Sequence, residues 1–293
     1  MPGERLSLLV PSRDGTPIAV FRSGPLAGSG SRRPLVLVHG TSADHRTWRV
    51  AAPLLAPRFD LWAMDRRGRG DSGDAGAAGN AVAAVAEAAA AWSIERELED
   101  VAAVAEAAAA AWPGGAVDVL GHSLGGRIAL AATALTPAIR RVVAYESAPV
   151  LREDDDGIAD LSARLRGHLD ARDLDGLLAT FMTKAVGMPA ADLAAFRANP
   201  IWPLRAAAGA TILRELEAAR GSPAIGIDAL ASVTVPVLQL VGSASPAWFR
   251  DGATALDARL RDGRLEVIDG ARHAAHHSHA PELVARVSAF LPD

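Results

Sequence analysis

The chain has 293 residues, is 50% hydrophobic and carries a net charge of −4 at pH 7, with 30 basic against 34 acidic residues. That much apolar content supports a substantial core for one large α/β domain or two small ones, and the mildly acidic balance offers no electrostatic ground for a nucleic-acid or anionic-membrane partner. Without cysteine, disulfides, thiolate nucleophiles and thiolate metal sites are excluded; with no secretion signal at Met1-Pro2-Gly3-Glu4-Arg5-Leu6 and no apolar run of the ~18 residues a membrane span needs, a cytoplasmic protein is expected.

Residues 5–22 alternate apolar and polar around Asp14-Gly15, which predicts a β-hairpin with a tight turn. Residues 23–34 are rich in Gly, Ser and Pro and read as a surface linker. Pro34-Leu35-Val36-Leu37-Val38 is apolar on both faces, the mark of a buried parallel strand. It ends in His39-Gly40-Thr41, where the glycine lets the chain turn the Thr41 amide inward as a donor to a developing oxyanion. A second buried strand over 59–64 runs into Asp65-Arg66-Arg67-Gly68-Arg69-Gly70-Asp71-Ser72-Gly73. Gly68-x-Gly70-x-x-Gly73 has the spacing of a dinucleotide fingerprint, but no helix pattern opens on its third glycine and no acidic residue ends a further strand about 20 residues on. No cofactor is expected from it. Residues 82–92 and 101–112 are near copies, both strong helix formers. Two copies are too few for a solenoid, and the second, from Ser93 or Ile94 through Trp112, is the crossover into the next strand.

That strand, Val117-Asp118-Val119-Leu120, enters Gly121-His122-Ser123-Leu124-Gly125-Gly126. Gly-x-Ser-x-Gly between a strand and a helix former is a nucleophile elbow: the turn is so sharp that the serine is strained and its neighbours two positions away must lack bulk. The Leu124 amide then sits at a helix N-terminus, facing wherever negative charge develops. Another buried strand, 141–145, ends at Glu146. Between 150 and 232 the pattern is helical, interrupted at Gly187-Met188-Pro189, Asn199-Pro200-Ile201-Trp202-Pro203 and Gly221-Ser222-Pro223, with no buried strand. The expectation is a helical cap, residues 150–232, over a core of 1–149 and 233–293. Phe181, Met182, Phe196 and Trp202 point to an apolar or ring-bearing substrate. Alternation resumes with a strand over 235–241, a helix near 253–260, a strand over 265–268, His273 and a last helix over 281–291.

His39-Gly40, the Asp65–Gly73 loop, Gly121-His122-Ser123-Leu124-Gly125-Gly126 and His273, in this order and at these intervals, resemble the α/β-hydrolase family over nearly the whole chain. The resemblance implies a mostly parallel eight-stranded sheet flanked by helices, Ser123 as nucleophile, His273 as general base, and the Thr41 and Leu124 amides as oxyanion hole. A serine at the elbow disfavours the haloalkane dehalogenase and epoxide hydrolase branches, which use aspartate there.

The acid departs from the pattern. It is expected just after the strand ending at Val241, yet Gly242-Ser243-Ala244-Ser245-Pro246 follows, with Ala244 where the carboxylate belongs. Asp251 is displaced into a helix, and Asp269 is placed to turn its own loop. Glu146 is the replacement of choice, because it ends the strand after the elbow helix; its other reading is a cap-junction residue. The cluster His273-x-x-His276-His277-x-His279 has no carboxylate or cysteine at ligand spacing, so no metal is expected, and His39 and His122 read as hydrogen-bonded structural imidazoles. The function expected is a carboxylic-ester hydrolase acting on an ester, thioester or lactone of a small apolar substrate through an acyl-enzyme. An acyltransferase, and a weakly catalytic receptor-like protein, are the alternatives.

Overall fold

The computed structural model describes residues 8–23, 32–74, 92–149 and 155–291, with the side chains of 155–158 left aside. The first of the two near-copy segments, up to residue 91, lies outside the described residues. In chain order the elements are β1 (Leu8–Pro11), β2 (Pro17–Ser23), β3 (Pro34–Val38), α1 (Ala52–Leu55), β4 (Asp60–Met64), α2 (Ile94–Ala110), β5 (Val117–His122), α3 (Leu124–Ala132) and β6 (Ile139–Tyr145). A helical insertion follows: α4 (Asp155–Asp170), α5 (Leu174–Lys184), α6 (Ala190–Arg197), α7 (Trp202–Ala207), α8 (Ile212–Gly221) and α9 (Ile227–Ala231). The chain closes with β7 (Val237–Gly242), α10 (Ala247–Asp257), β8 (Gly263–Ile268), α11 (Ala275–Ser278) and α12 (Ala280–Phe290).

The strands form one eight-stranded sheet in the order β1-β2-β4-β3-β5-β6-β7-β8. The hairpin joins antiparallel, and every later neighbour is parallel. The strands that looked apolar on both faces, β3, β4 and β5, are buried along their whole length. Alternation divides them between two cores, with Val36, Val38 and Val119 under one face and Leu35, Leu37 and Leu120 under the other. β3 is flanked by β4 on one side and β5 on the other, so the direction of crossover reverses there. A crevice outside the carboxyl ends of the strands is expected at such a reversal. It brings His39-Gly40-Thr41, which follows β3, beside Ser123, which follows β5: a Cβ on Gly40 would stand 3.0 Å from that of Ser123.

The insertion has its own apolar cluster, including Leu165, Leu177, Leu178, Phe181, Trp202 and Ile212. Its last part behaves otherwise, since Ile225 and Leu230 pack into the core under the sheet. One helix boundary and one extra element differ from the pattern reading by more than a residue or two. Helix α10 begins at Ala247, well before 253, because Pro246 presets the backbone just ahead of its first turn and Phe249, Ala253 and Leu256 share a buried face. A separate turn of helix, α11, follows His273 before the last helix.

Candidate active site

Ser123 takes φ 53° and ψ −129°, a conformation disfavoured for a residue with a Cβ. Its amide donates to the Tyr145 carbonyl at 2.9 Å, so the ladder between β5 and β6 holds the strained residue in place. The flanking glycines are required by close approach: a Cβ on Gly121 would run into the Gly126 backbone, and one on Gly125 into the His39 carbonyl. Helix α3 starts at Leu124 directly after the serine. Among the described residues neither the Leu124 nor the Thr41 amide donates to a backbone carbonyl, and Thr41 and Ser123 line the same cavity.

Glu146 is also strained, at φ 47°. Its amide donates to the Leu240 carbonyl at 2.9 Å, tying the turn to β7. Its buried carboxylate is used on both oxygens: Oε1 accepts from the Gly242 amide at 2.9 Å and Oε2 lies 2.6 Å from His273 Nδ1. The His273 loop is braced from three sides. His122 Nε2–H donates to the His273 carbonyl at 2.7 Å, the Tyr145 hydroxyl donates to the Arg272 carbonyl, and the Phe249 ring stacks on the His273 ring at 4.5 Å. With Nδ1 committed to Glu146, Nε2 of His273 is the free nitrogen, and His273 and Ser123 line one cavity.

The competing carboxylates lie elsewhere. Asp251 is exposed on α10. Asp269 Oδ1 accepts from the Ser243 hydroxyl at 2.9 Å and shapes the turn. Ala244 takes the place of an acid with a backbone role, its amide donating to the Ala271 carbonyl at 3.0 Å.

The other imidazoles sort by their partners. His39 is fully buried; its Nδ1 meets the Gly40 carbonyl at 2.8 Å and its Nε2 accepts from the Arg66 amide at 3.0 Å. Burial, then the Arg66 charge, holds His39 well below its ordinary value and neutral. Burial, reinforced by the neighbouring His273, does the same to His122. His276 and His277 are likewise depressed, His277 to about 3, in each case first by burial. His276, His277 and His279 line the cavity with His273.

The glycine-rich loop is occupied by protein. Asp65 accepts from the His45 amide at 2.7 Å and from the Asp71 amide at 2.9 Å, with His45 Nδ1 at 2.8 Å. Asp44, His45 and Asp65 are close enough to suggest a cation site, but these N–H donors already use the Asp65 oxygens. Gly70 must be glycine because a Cβ there would strike that carboxylate. The loop's arginines point inward: Arg66 pairs with Glu97 and Glu215, each at 2.8 Å through Nη2, Arg67 pairs with Asp100, and Arg69 pairs with Glu215. Burial opposes ionisation of Glu215, yet Arg66 and Arg69 outweigh it and hold the carboxyl below its ordinary value. Sequence reasoning missed this network. Glu215 lies more than 140 residues from its partners, and one glutamate within an amphipathic helix carries no local signal.

The cavity encloses about 500 Å3. Thr41, Ser123 and His273 stand on the sheet side and Phe181, Met182, Val186, Met188, Phe196 and Ile201 on the insertion side. Trp202 is not among the lining residues: it is buried in the insertion's cluster, donates to Asp175 at 2.6 Å and supports Phe196 edge-on at 5.1 Å.

Residues 35–287 match the model of the "Alpha/beta hydrolase family". An alpha/beta hydrolase from Sphaerobacter thermophilus DSM 20745 is 33% identical, with a TM-score of 0.76 over 96% of this chain and 100% of that one. An esterase from Exiguobacterium antarcticum has the same fold at 19% identity, with a TM-score of 0.73 over 97% of this chain and 98% of that one. A stretch of 69 residues, 24% of this chain, is 42% identical to a probable oxidoreductase, EphD, of Mycobacterium tuberculosis, but spans only 11% of that protein's length. Among the described residues no helix is long and apolar enough to cross a membrane.

Proposed function

The chain belongs to the alpha/beta hydrolase family, and from that premise we propose that it is a serine hydrolase cleaving a carboxylic ester, thioester or lactone of a small, largely apolar substrate. The observation that carries this reading is the 2.6 Å contact of His273 Nδ1 with Glu146 Oε2, in a loop lining the cavity onto which Ser123 opens. Glu146 fixes the imidazole so that Nε2 accepts a proton, and stabilises the imidazolium that results. Ser123 Oγ attacks the acyl carbon while its proton passes to His273 Nε2. The negative charge gathers on the carbonyl oxygen before the amides of Thr41 and Leu124, which have no backbone acceptors to relinquish among the described residues. Collapse breaks the bond to the leaving oxygen or sulfur, which takes the proton from His273 and departs. Water then repeats the sequence on the acyl-enzyme, with His273 as base, and releases the acid and the serine. The insertion over 150–232 serves as a cap whose side chains select the acyl group.

The absence of an acid at Ala244 motivated the receptor-like alternative; Glu146 at hydrogen-bond distance from His273 supports the hydrolase reading over it. The test is labelling by a fluorophosphonate together with turnover of p-nitrophenyl esters. Parent protein is expected to do both, and Ser123→Ala to lose both while folding normally, a drop of about 10⁶-fold in kcat. Parent-like turnover by the alanine variant would move the active site elsewhere, and turnover only with an added alcohol or amine acceptor would make the protein an acyltransferase.

A further inference from the structure

Two guanidiniums on the wall of the Ser123 cavity, Arg49 and Arg205, make no carboxylate contact among the described residues. Arg205, on α7 of the insertion, reaches across to the core and donates to the Ser42 carbonyl at 3.0 Å and to Thr47 Oγ1 at 2.8 Å, both neutral acceptors. Arg49 Nη1 donates to His277 Nε2 at 3.3 Å. The two contacts belong to one patch: Thr47 Oγ1 lies 3.2 Å from His276 Nε2, and the His276 and His277 rings are 4.5 Å apart. The fully buried arginines of the glycine-rich loop differ from this half-buried pair, since Arg66, Arg67 and Arg69 each hold a carboxylate. The acids that face the patch are already engaged. Asp44 takes three hydrogen bonds from Arg46, two from the guanidinium at 3.0 and 2.6 Å and one from the amide at 2.9 Å, and Asp192 faces Arg272 at 3.7 Å.

Resting on the hydrolase reading above, we infer that the substrate carries a carboxylate remote from its scissile carbonyl, and that Arg49 and Arg205 bind it. A guanidinium half withdrawn from water and touching no carboxylate is unfavourable, and an anion in the cavity relieves both charges at once. Because arginine only donates, His277 accepts at Nε2 and must carry its hydrogen on Nδ1, a buried atom with no partner among the described residues. The positive potential is felt around the patch. Burial foremost, then neighbouring charges that include Arg205, depress His122, His276 and His277; burial brings Arg205 itself down to about 10, with Asp44 opposing and Arg49 adding to the fall. Met188, Phe196 and Ile201 line the same cavity. The complementary molecule is therefore a half-acid, such as a monoester of a dicarboxylic acid or a lactone bearing a carboxylate, with an apolar segment between its two polar ends. Arg127, whose guanidinium rests on the Ser147 and Ala219 carbonyls, is absent from this wall; it lines a smaller cavity of about 120 Å3 that Thr41, Ser123, Leu124 and His273 also line.

Binding is measured first on Ser123→Ala by calorimetry, comparing monomethyl adipate with dimethyl adipate. The half-acid is expected to bind at least tenfold more tightly, and that advantage to fall at least tenfold when Arg49→Gln or Arg205→Gln is added. Since Arg205 also joins the insertion to the core, Arg49→Gln, which gives up only a histidine contact, decides the matter should the other variant unfold. Equal affinity for the two esters, or an advantage that survives Arg49→Gln, overturns the inference. The kinetic arm compares p-nitrophenyl half-esters of glutarate and adipate with p-nitrophenyl pentanoate on protein with Ser123 intact. A higher kcat/KM for the half-esters, with the ratio falling in Arg49→Gln, supports the inference. Turnover of both kinds without preference overturns it and leaves the hydrolase reading standing. Half-acid binding to Ser123→Ala, with no ester of either kind hydrolysed by the parent, leaves the carboxylate site standing and removes the hydrolase reading.

Discussion

The two sides of the cavity are held by different physics. On the sheet side, Ser123, Glu146 and the Thr41 turn each follow a strand buried on both faces, and their unusual backbone angles are set by ladder contacts such as Ser123 to Tyr145 and Glu146 to Leu240. On the insertion side the lining comes from helices with an apolar cluster of their own, and α6 buries none of its residues. The polar ties between the two sides are long-range: Glu215 with Arg66 and Arg69, Arg205 with Ser42 and Thr47, Arg127 with the Ala219 carbonyl, and Arg214 with Asp74. A strained nucleophile needs a frame that does not relax, because displacement of a reacting group by about 1 Å costs roughly 10²-fold in rate. A selecting wall needs only shape and a few anchors. On the function proposed above, the sheet side carries the reaction and the insertion the choice of substrate, a division that can be broken at either side or at the ties.

Breaking the sheet side has the largest effect. Glu146→Gln keeps the shape but exchanges an oxygen acceptor for an amide and removes the charge that stabilises imidazolium; kcat is expected to fall by roughly 10²- to 10⁴-fold with KM little changed. Steady-state kinetics on a p-nitrophenyl ester check this, and an unchanged kcat would leave the Glu146–His273 contact without a catalytic role.

Cutting the central tie comes next. Glu215→Gln leaves Arg69 buried without a counter-charge beside Arg66, and should lower unfolding free energy by about 3–5 kcal/mol, the range for breaking a buried pair on one side. Urea unfolding measures it, and a shift under 1 kcal/mol would mean that water reaches the network.

Acid titration tests the burial that the frame depends on. His39, His122, His276 and His277 all have folded values below the unfolded one of about 6.5. In that window the unfolded chain binds more protons than the folded one, so their neutral burial is fully accommodated above pH 6.5 and stability is lost as the pH falls below it, by up to about 1.4 kcal/mol per pH unit for each group. Tm is expected to decline between pH 7 and 5, less so in His277→Gln; a flat Tm over that interval would show that these rings take up protons in the native state.

The smallest effect belongs to the selecting wall. Phe196→Ala widens the insertion side and should move preference toward longer or bulkier acyl groups by roughly 3- to 10-fold, with acetate-ester turnover nearly unchanged, since one side chain in an apolar pocket discriminates only weakly. A profile of kcat/KM against acyl length reads it, and an equal loss for every ester would tie Phe196 to the reaction.

What the sequence determined by itself is what depends on local pattern. Strands apolar on both faces must be buried, glycines two residues either side of Ser123 can only mark a close approach, and the α/β alternation around a strandless helical stretch locates the insertion. The contact of Glu146 with His273 was within reach of the family resemblance and of position, because the Ala244 side chain has no acceptor and few strand ends lie on that side of the elbow. The tertiary structure alone decided which charges meet. Glu215, Arg205 and Arg127 look like ordinary surface residues on amphipathic helices, and Trp202 like a substrate contact; only the docking of the insertion sets the first three against distant partners and turns the fourth into support for Phe196. Periodicity records which face of an element is apolar, whereas the partner of a buried charge is set by how helices more than a hundred residues away come to rest on the sheet.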